Sequence, residues 1–201
     1  MQKILLLYPD LFKSYTKFDR KLSKILSKTK DFKFICKDDP NNFIDKYIKE
    51  YSLSSSFDTY DKLEELDVTH AIVFDDGEEF KEEVLFLKKK EIKIRIIKIL
   101  ITRVINIRKD VEYSNLESNS KYEYIGRGSY WGNPHSMYEA GEDRNEVIRL
   151  FKYDFDNDNF PRKRKSEVHH LAGKRLGCFC KPLYCHGDIL ADYLNSFDDE
   201  K

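Results

Sequence analysis

Four short apolar runs alternate with segments of helical spacing through the first hundred residues, and that alternation leaves few folds open. The runs are Lys3–Tyr8, Phe32–Cys36, His70–Phe74 and Ile92–Ile99. Short apolar runs of this kind read as buried strands. Between them, Phe18, Leu22, Ile25 and Leu26 recur at helical spacing, and Phe43, Ile44, Tyr47, Ile48 and Tyr51 share one helical face that Pro40 opens. A short helix is expected around Tyr60–Leu66, and Phe80, Val84, Leu85 and Leu87 mark another. The order βαβαβαβ predicts a parallel sheet with helices on its faces, because parallel neighbours need a crossover that packs back on the sheet. In such sheets ligands sit beyond the carboxyl ends of the strands. Those ends are Pro9-Asp10, Lys37-Asp38-Asp39 and Asp75-Asp76-Gly77.

Glycine divides the chain. Of the eight glycines, only Gly77 lies before Gly126. The first half therefore reads as regular structure and the second as a fold of tight turns and close backbone approaches. We expect a Rossmann-like α/β domain over residues 1–101 and a second, small α/β domain over 102–201. Strands are expected at Arg103–Ile107, Tyr122–Ile125 and Arg175–Cys180, and helices at Asn145–Phe155, Ser166–Ala172 and Cys185–Phe197. Ser166 is expected as a helix cap, and Gly173 falls past the end of the same helix.

The 36 Lys+Arg and 36 Asp+Glu cancel, and the balance holds within each half. That argues against long nucleic acid or an anionic membrane as partner. The basic run Arg162–Lys165 is the exception, and it reads as a solvated loop. Met1 leads into KILLLY, too short for a signal peptide. The apolar stretch Ile92–Ile107 is broken by Lys93, Arg95, Lys98 and Arg103, so no membrane helix is expected. Four cysteines clustered three to one do not make a disulfide framework, which predicts a reducing, cytoplasmic setting. The sequence leaves self-association open.

Chemistry concentrates in two motifs. The first is the loop Gly126–Pro134, GRGSYWGNP. Gly126 and Gly128 would let backbone approach a ligand, and Arg127 between them offers a planar fork for phosphate or carboxylate. Trp131 offers a face on which a base could stack, while Ser129 and Asn133 supply neutral hydrogen bonds. The competing reading is a tight loop around a core tryptophan. The second motif is LGCFCKPLYCHGD, with Cys178, Cys180, Cys185, His186 and Asp188. Three readings stay open. Cys178, Cys180 and Cys185, with His186 beside them, could bind a metal such as zinc; Cys178 and Cys180 would share one strand face, although the spacing is not that of a standard zinc finger. Cys185 at a helix start could be a reactive thiolate, with His186, His169 or His170 as acid or base and Asp188 orienting an imidazole. Or the thiols simply pack a strand against a helix.

Four segments of the second half resemble an uncharacterised domain family common in bacteriophages and bacteria. They are VINIRKD (Val104–Asp110), YIGRGSYWGNP (Tyr124–Pro134), a helix of the EVIRLF type, and GKRLGCFCKPLYCHGDILA (Gly173–Ala191). The resemblance implies a compact α/β unit. His135 departs from the family, which more often carries an aromatic residue there. The first half resembles a degenerate member of the SLOG group, Rossmann-like domains that bind or hydrolyse nucleotides and nucleotide-derived ligands. Its element order fits, but YPDLF and CKDDPNN stand where that group has glycine-rich turns. Without those glycines the backbone amides that cradle phosphate are lost, which implies that this half is not a working nucleotide hydrolase of that type.

Taken together, these features predict a site in the second half for a nucleotide or an ADP-ribose-like small molecule, provided the loop and the cysteine turn lie close together. Arg127 would hold phosphate, Trp131 would stack the base or ring, and Cys185, His186 and Asp188 would act at the reactive centre. One function class is an enzyme, a hydrolase acting for example at a glycosidic bond. Another is a binder that sequesters such a molecule without turnover, as phage counter-defence proteins can in a host cytoplasm. A third is a metal-stabilised interaction module.

Overall fold

The computed structural model describes residues 1–53, 56–113, 116–136, 143–160 and 162–198. The chain divides into two compact units, Met1–Ile99 with Ser196–Lys201, and Leu100–Asn195. The first carries β1 (Gln2–Leu7), α1 (Tyr15–Leu26), β2 (Phe32–Cys36), α2 (Phe43–Glu50), β3 (Asp58–Thr59), β4 (His70–Asp75), α3 (Lys81–Lys89) and β5 (Lys93–Lys98). Its sheet runs β3-β2-β1-β4-β5 with every pair parallel, as the alternation predicts. The pleat sorts side chains between two layers. Leu5, Leu7, Ile35, Ala71 and Val73 pack with Val84 and Leu87 of α3 on one face. On the other, Phe74 stacks on Phe18 of α1 with centroids 5.1 Å apart, and Phe34 meets Tyr47 of α2 edge-on. Burial on both faces is why these strands read as continuous apolar runs.

Two local expectations are corrected. The helix expected to open at Pro40 starts at Phe43, because Asp39 caps it from upstream: its carboxylate accepts the amides of Ile44 and Asp45 at 3.1 and 3.0 Å. The helix expected around Tyr60–Leu66 shrinks to one 3₁₀ turn, Leu63–Glu65, and the two-residue strand β3 precedes it.

Strand order reverses beside β1, the position where a sheet of this kind offers a ligand crevice. Here that position is filled. Tyr8 and Phe12 are buried; Tyr8 stacks on Phe43 and Phe12 on Phe74, each at 5.3 Å between centroids. Asn41 pins the loop by donating to the carbonyls of Asp10 and Phe12 at 2.9 and 3.0 Å.

The second unit carries β6 (Arg103–Asn106), β7 (Tyr122–Tyr124), α4 (Arg144–Asp156), β8 (Arg175–Cys178) and α5 (His186–Ser196). Its sheet is parallel in the order β6-β8-β7. Leu176 and Cys178 of β8 enter a core with Phe151 and Phe155 of α4 and Ile189, Leu190 and Leu194 of α5. Gly177, one residue out of phase, points the other way, where a Cβ would lie 2.4 Å from Tyr122 Oη. The helix expected over Ser166–Ala172 is a 3₁₀ segment, Lys165–Leu171. Ser166 does not cap it, because the Asp158 carboxylate takes the Lys165 amide at 2.6 Å one position earlier. Among the described residues no helix is long and apolar enough to cross a membrane.

Candidate functional site

β7 and β8 are parallel neighbours, with Tyr124 opposite Gly177. The glycine-rich loop and the cysteine turn therefore leave the same edge of the sheet, at its carboxyl end. They meet around a cavity of about 180 Å³. Gly126, Arg127, Asn133 and His135 line it from the loop, Arg144, Val147 and Ile148 from α4, and Cys178, Phe179, Cys180, Cys185 and His186 from the turn. Trp131, Gly128, Ser129 and Asp188 do not line it.

The loop is shaped mostly by its own packing. Ser129 Oγ donates back to the Gly126 carbonyl at 2.7 Å, and a Cβ on Gly132 would lie 2.6 Å from that same oxygen. Gly128 adopts φ +84°, a conformation that favours glycine. Asn133 Nδ2 donates to the Val147 carbonyl of α4 at 3.1 Å, and its Oδ1 accepts the His135 amide at 2.9 Å. Asn133 thus ties the loop to α4 as well as facing the cavity. Trp131, expected as a stacking face, is 4 % exposed and packed in the core, edge-on to Tyr130. An indole with no exposed face cannot stack a base, so the core reading holds for this residue.

In the basic run Arg162–Lys165, Arg162 and Arg164 are exposed as expected, but Lys163 departs from the solvated reading. Lys163 is half-buried beneath the loop, where its ammonium donates to the carbonyls of Tyr130 and Gly132 at 3.0 and 2.8 Å. Burial pushes its pKa down to about 8, with Asp154 opposing. Two polar cavity residues, Arg144 and His135, lie outside the two motifs. Arg127 Nη1 reaches Ser136 Oγ at 3.2 Å, and Arg144 Nη2 donates to the Tyr184 carbonyl at 2.9 Å, so a second guanidinium joins the expected one. His135 Nε2 meets Asp154 Oδ2 at 2.7 Å.

In the turn, β8 ends at Cys178, so Cys180 does not share a strand face with it. The three sulfurs converge nonetheless, all within 4.8 Å of one another. Cys178 and Cys185 are buried and Cys180 is half-buried. Asn106 Nδ2 supports the turn by donating to the Phe179 carbonyl at 3.4 Å and to that of Lys181. A hydrogen bond from Cys185 holds the Cys178 thiol below the usual thiol range; that same bond, burial and the Asp188 carboxylate push Cys185 up. The thiol at the helix start is thus the less acidic of the pair. Asp188 accepts the Cys185 amide at 2.8 Å and pairs with Lys181, so its carboxylate caps α5 rather than orienting an imidazole. His186 is buried, which lowers its pKa, and its Nε2 contacts the Ile125 carbonyl at 2.8 Å. A carbonyl only accepts, so Nε2 carries a proton, while burial disfavours the charged ring. Phe151 lies edge-on to that ring, with centroids 5.1 Å apart.

Comparison with known proteins divides the chain in a similar way. Residues 106–196 match a domain of unknown function, DUF4326. An uncharacterized 12.4 kDa protein from the nrdA-td intergenic region of Enterobacteria phage T4 is 44 % identical over 72 residues, which is 35 % of this chain and 65 % of that protein. This chain therefore spans just under two thirds of the relative's length. No solved structure matches. The family boundary at 105/106 runs through β6, which is hydrogen-bonded to β8 and so belongs physically to the second unit. The minimal SLOG domain model matches residues 1–105, more than half of the 201, and the chain belongs to that family, whose domains are associated with nucleotide-related ligands.

Proposed function

We propose that this protein binds and processes a nucleotide-derived, phosphate-bearing small molecule of the ADP-ribose type in the C-terminal cavity. The observation that carries the proposal is the convergence of two motifs, Gly126–Pro134 and Cys178–Asp188, on one cavity that holds two guanidinium groups and three thiols. Arg127 and Arg144 take the phosphate, because planar forks suit its oxygens. Gly126, Gly128, Ser129 and Asn133 set the shape of the loop that carries Arg127. His135, one ring nitrogen held by Asp154, serves as the acid or base. Cys178, Cys180 and Cys185 form the reactive floor, with His186 and Asp188 positioning Cys185. The filled crevice of the first unit also favours the second unit as the ligand site.

A second reading is binding without turnover, the behaviour of a protein that sequesters a signal. One observation favours it: Asp188 and His186 are both committed to structural hydrogen bonds. Incubation with ADP-ribose, followed by mass spectrometry of the denatured mixture, separates the two. Cleavage products support processing. Ligand retained by the protein and returned intact supports sequestration. A chain that neither retains nor cleaves ADP-ribose or related dinucleotides overturns both.

A further inference from the structure

We infer that Cys178, Cys180 and Cys185 hold one zinc ion whose fourth coordination position faces the C-terminal cavity. Their sulfurs lie within 4.8 Å of one another. A tetrahedral site with Zn–S of ~2.3 Å needs sulfurs ~3.8 Å apart, so side-chain adjustment of about 1 Å closes the cluster on the ion. The backbone at both ends of the turn is already fixed, at Cys178 by the β6 and β7 pairings of β8 and at Cys185 by the Asp188 cap. A lone cysteine is ordinary core filling, but three thiols meeting at one point of a cavity wall are not, and Cys180 sits only half-buried at the margin of the core. Thiolates select a soft or borderline ion over magnesium or calcium. A four-thiolate iron–sulfur cluster needs one thiolate more than the three cysteines of this cavity.

The open position follows from the neighbours. Among the described residues no histidine, aspartate or glutamate ligand atom joins the three sulfurs. His186 Nε2 is committed to Ile125, and both Asp188 oxygens are committed to Lys181 and the Cys185 amide. Zinc with three protein ligands and one open site is the arrangement of reactive rather than purely structural centres. The fourth ligand is an oxygen, from water or from the phosphate-bearing molecule that Arg127 and Arg144 would hold. Uptake of zinc releases the thiol protons to solvent, so affinity falls as pH falls. Only the identity of the fourth ligand rests on the function proposed above.

The test uses the full chain, purified without chelator, then stripped and reloaded with zinc or cobalt(II). The expected result is one metal ion per chain, thiolate-to-cobalt charge-transfer bands, and tetrahedral d–d bands that inorganic phosphate shifts in the wild type but not in Arg127→Ala. Cys180→Ser, at the least buried of the three positions, should weaken metal binding ~10-fold or more. A folded wild-type chain that takes up neither ion overturns the site, as does Cys180→Ser binding as tightly as wild type, or an intact mass two hydrogens short that shows a disulfide instead. Metal uptake with d–d bands indifferent to phosphate overturns the cavity-facing fourth position. Binding of ADP-ribose to the stripped chain is measured separately, so loss of the metal reading leaves the ligand reading standing or falling by itself.

Discussion

Replacing Lys163 by methionine should loosen the glycine-rich loop and change how stability depends on pH. The methionine keeps most of the apolar stem and removes the ammonium that bonds Tyr130 and Gly132. Tyr130 is exposed, so water can replace the lost donor there; Gly132 is buried, and its carbonyl is left without that partner. One stranded buried acceptor costs about 1–3 kcal/mol. Against this stands the desolvation of the ammonium, which the variant no longer bears and which depresses the Lys163 pKa from 10.5 to about 8. The folded amine therefore loses its proton before the unfolded one does. As pH rises from about 8 towards 10.5 the unfolded chain binds more protons, and the wild type gains stability that the variant cannot gain. The assay is urea unfolding followed by fluorescence of Trp131, the one tryptophan of the chain, which belongs to the loop and packs into the core. At pH 7 the stranded carbonyl and the relieved desolvation are of similar size and nearly cancel, so the two proteins should lie within about 1 kcal/mol of each other. At pH 9.5 the wild type should have gained about 2 kcal/mol on the variant. Contributions from tyrosines raised by burial, such as Tyr8, are common to both proteins and cancel in the difference. A difference that stays the same at both pH values, or that moves in favour of the variant, would refute the assignment.

Two further substitutions probe the scaffold. Asp39→Ala removes the acceptor for the Ile44 and Asp45 amides and for the Tyr8 hydroxyl; it should lower the stability of the first unit by about 1–3 kcal/mol, with Asp39→Asn retaining part of that. Native-state hydrogen exchange of the α2 amides measures this, and unchanged protection would rule out the cap. Gly187→Ala gains about 1 kcal/mol of helix propensity. Its Cβ would, however, lie 2.6 Å from Ile125 Cδ1 and 3.1 and 3.2 Å from the Val104 methyls. The Ile125 tip can rotate away, but the short Val104 side chain has little room to give. Overpacking of about 1–3 kcal/mol should then win, lowering the thermal midpoint; a raised midpoint would mean that α5 does not lie this close.

The strands most legible in the sequence are β1, β2 and β4, because burial on both faces writes a continuous apolar run. β3 is not legible: it is two residues long, and Asp58 and Thr59 are exposed, so no apolar run marks it. The start of α2 and the cap of the 3₁₀ segment were hidden because Asp39 and Asp158 act from outside the local pattern. At the candidate site, residue types singled out two segments, but spacing could not show that they line one cavity. That follows from the parallel pairing of β7 with β8, a contact between residues some 50 positions apart. Trp131 was ambiguous by nature, since an indole suits a core as well as a stacking platform. Lys163, His135 and Arg144 were missed because a lysine in a charge run, a histidine after a loop and an arginine opening a helix carry no pattern of their own. Asp188 was read for an imidazole, whereas an aspartate in the first turn of a helix finds an amide at the helix start first.

The central claim, that the C-terminal cavity is a phosphate-ligand site, is tested most directly by calorimetric titration of ADP-ribose into the wild type and into Arg127→Ala and Arg144→Ala. Loss of a charge-assisted hydrogen bond is worth about 1.5–3 kcal/mol, so each variant should bind ~10- to 150-fold more weakly while keeping its fold by circular dichroism. Affinity unchanged in both folded variants would contradict the claim and send the search for the ligand elsewhere in the chain.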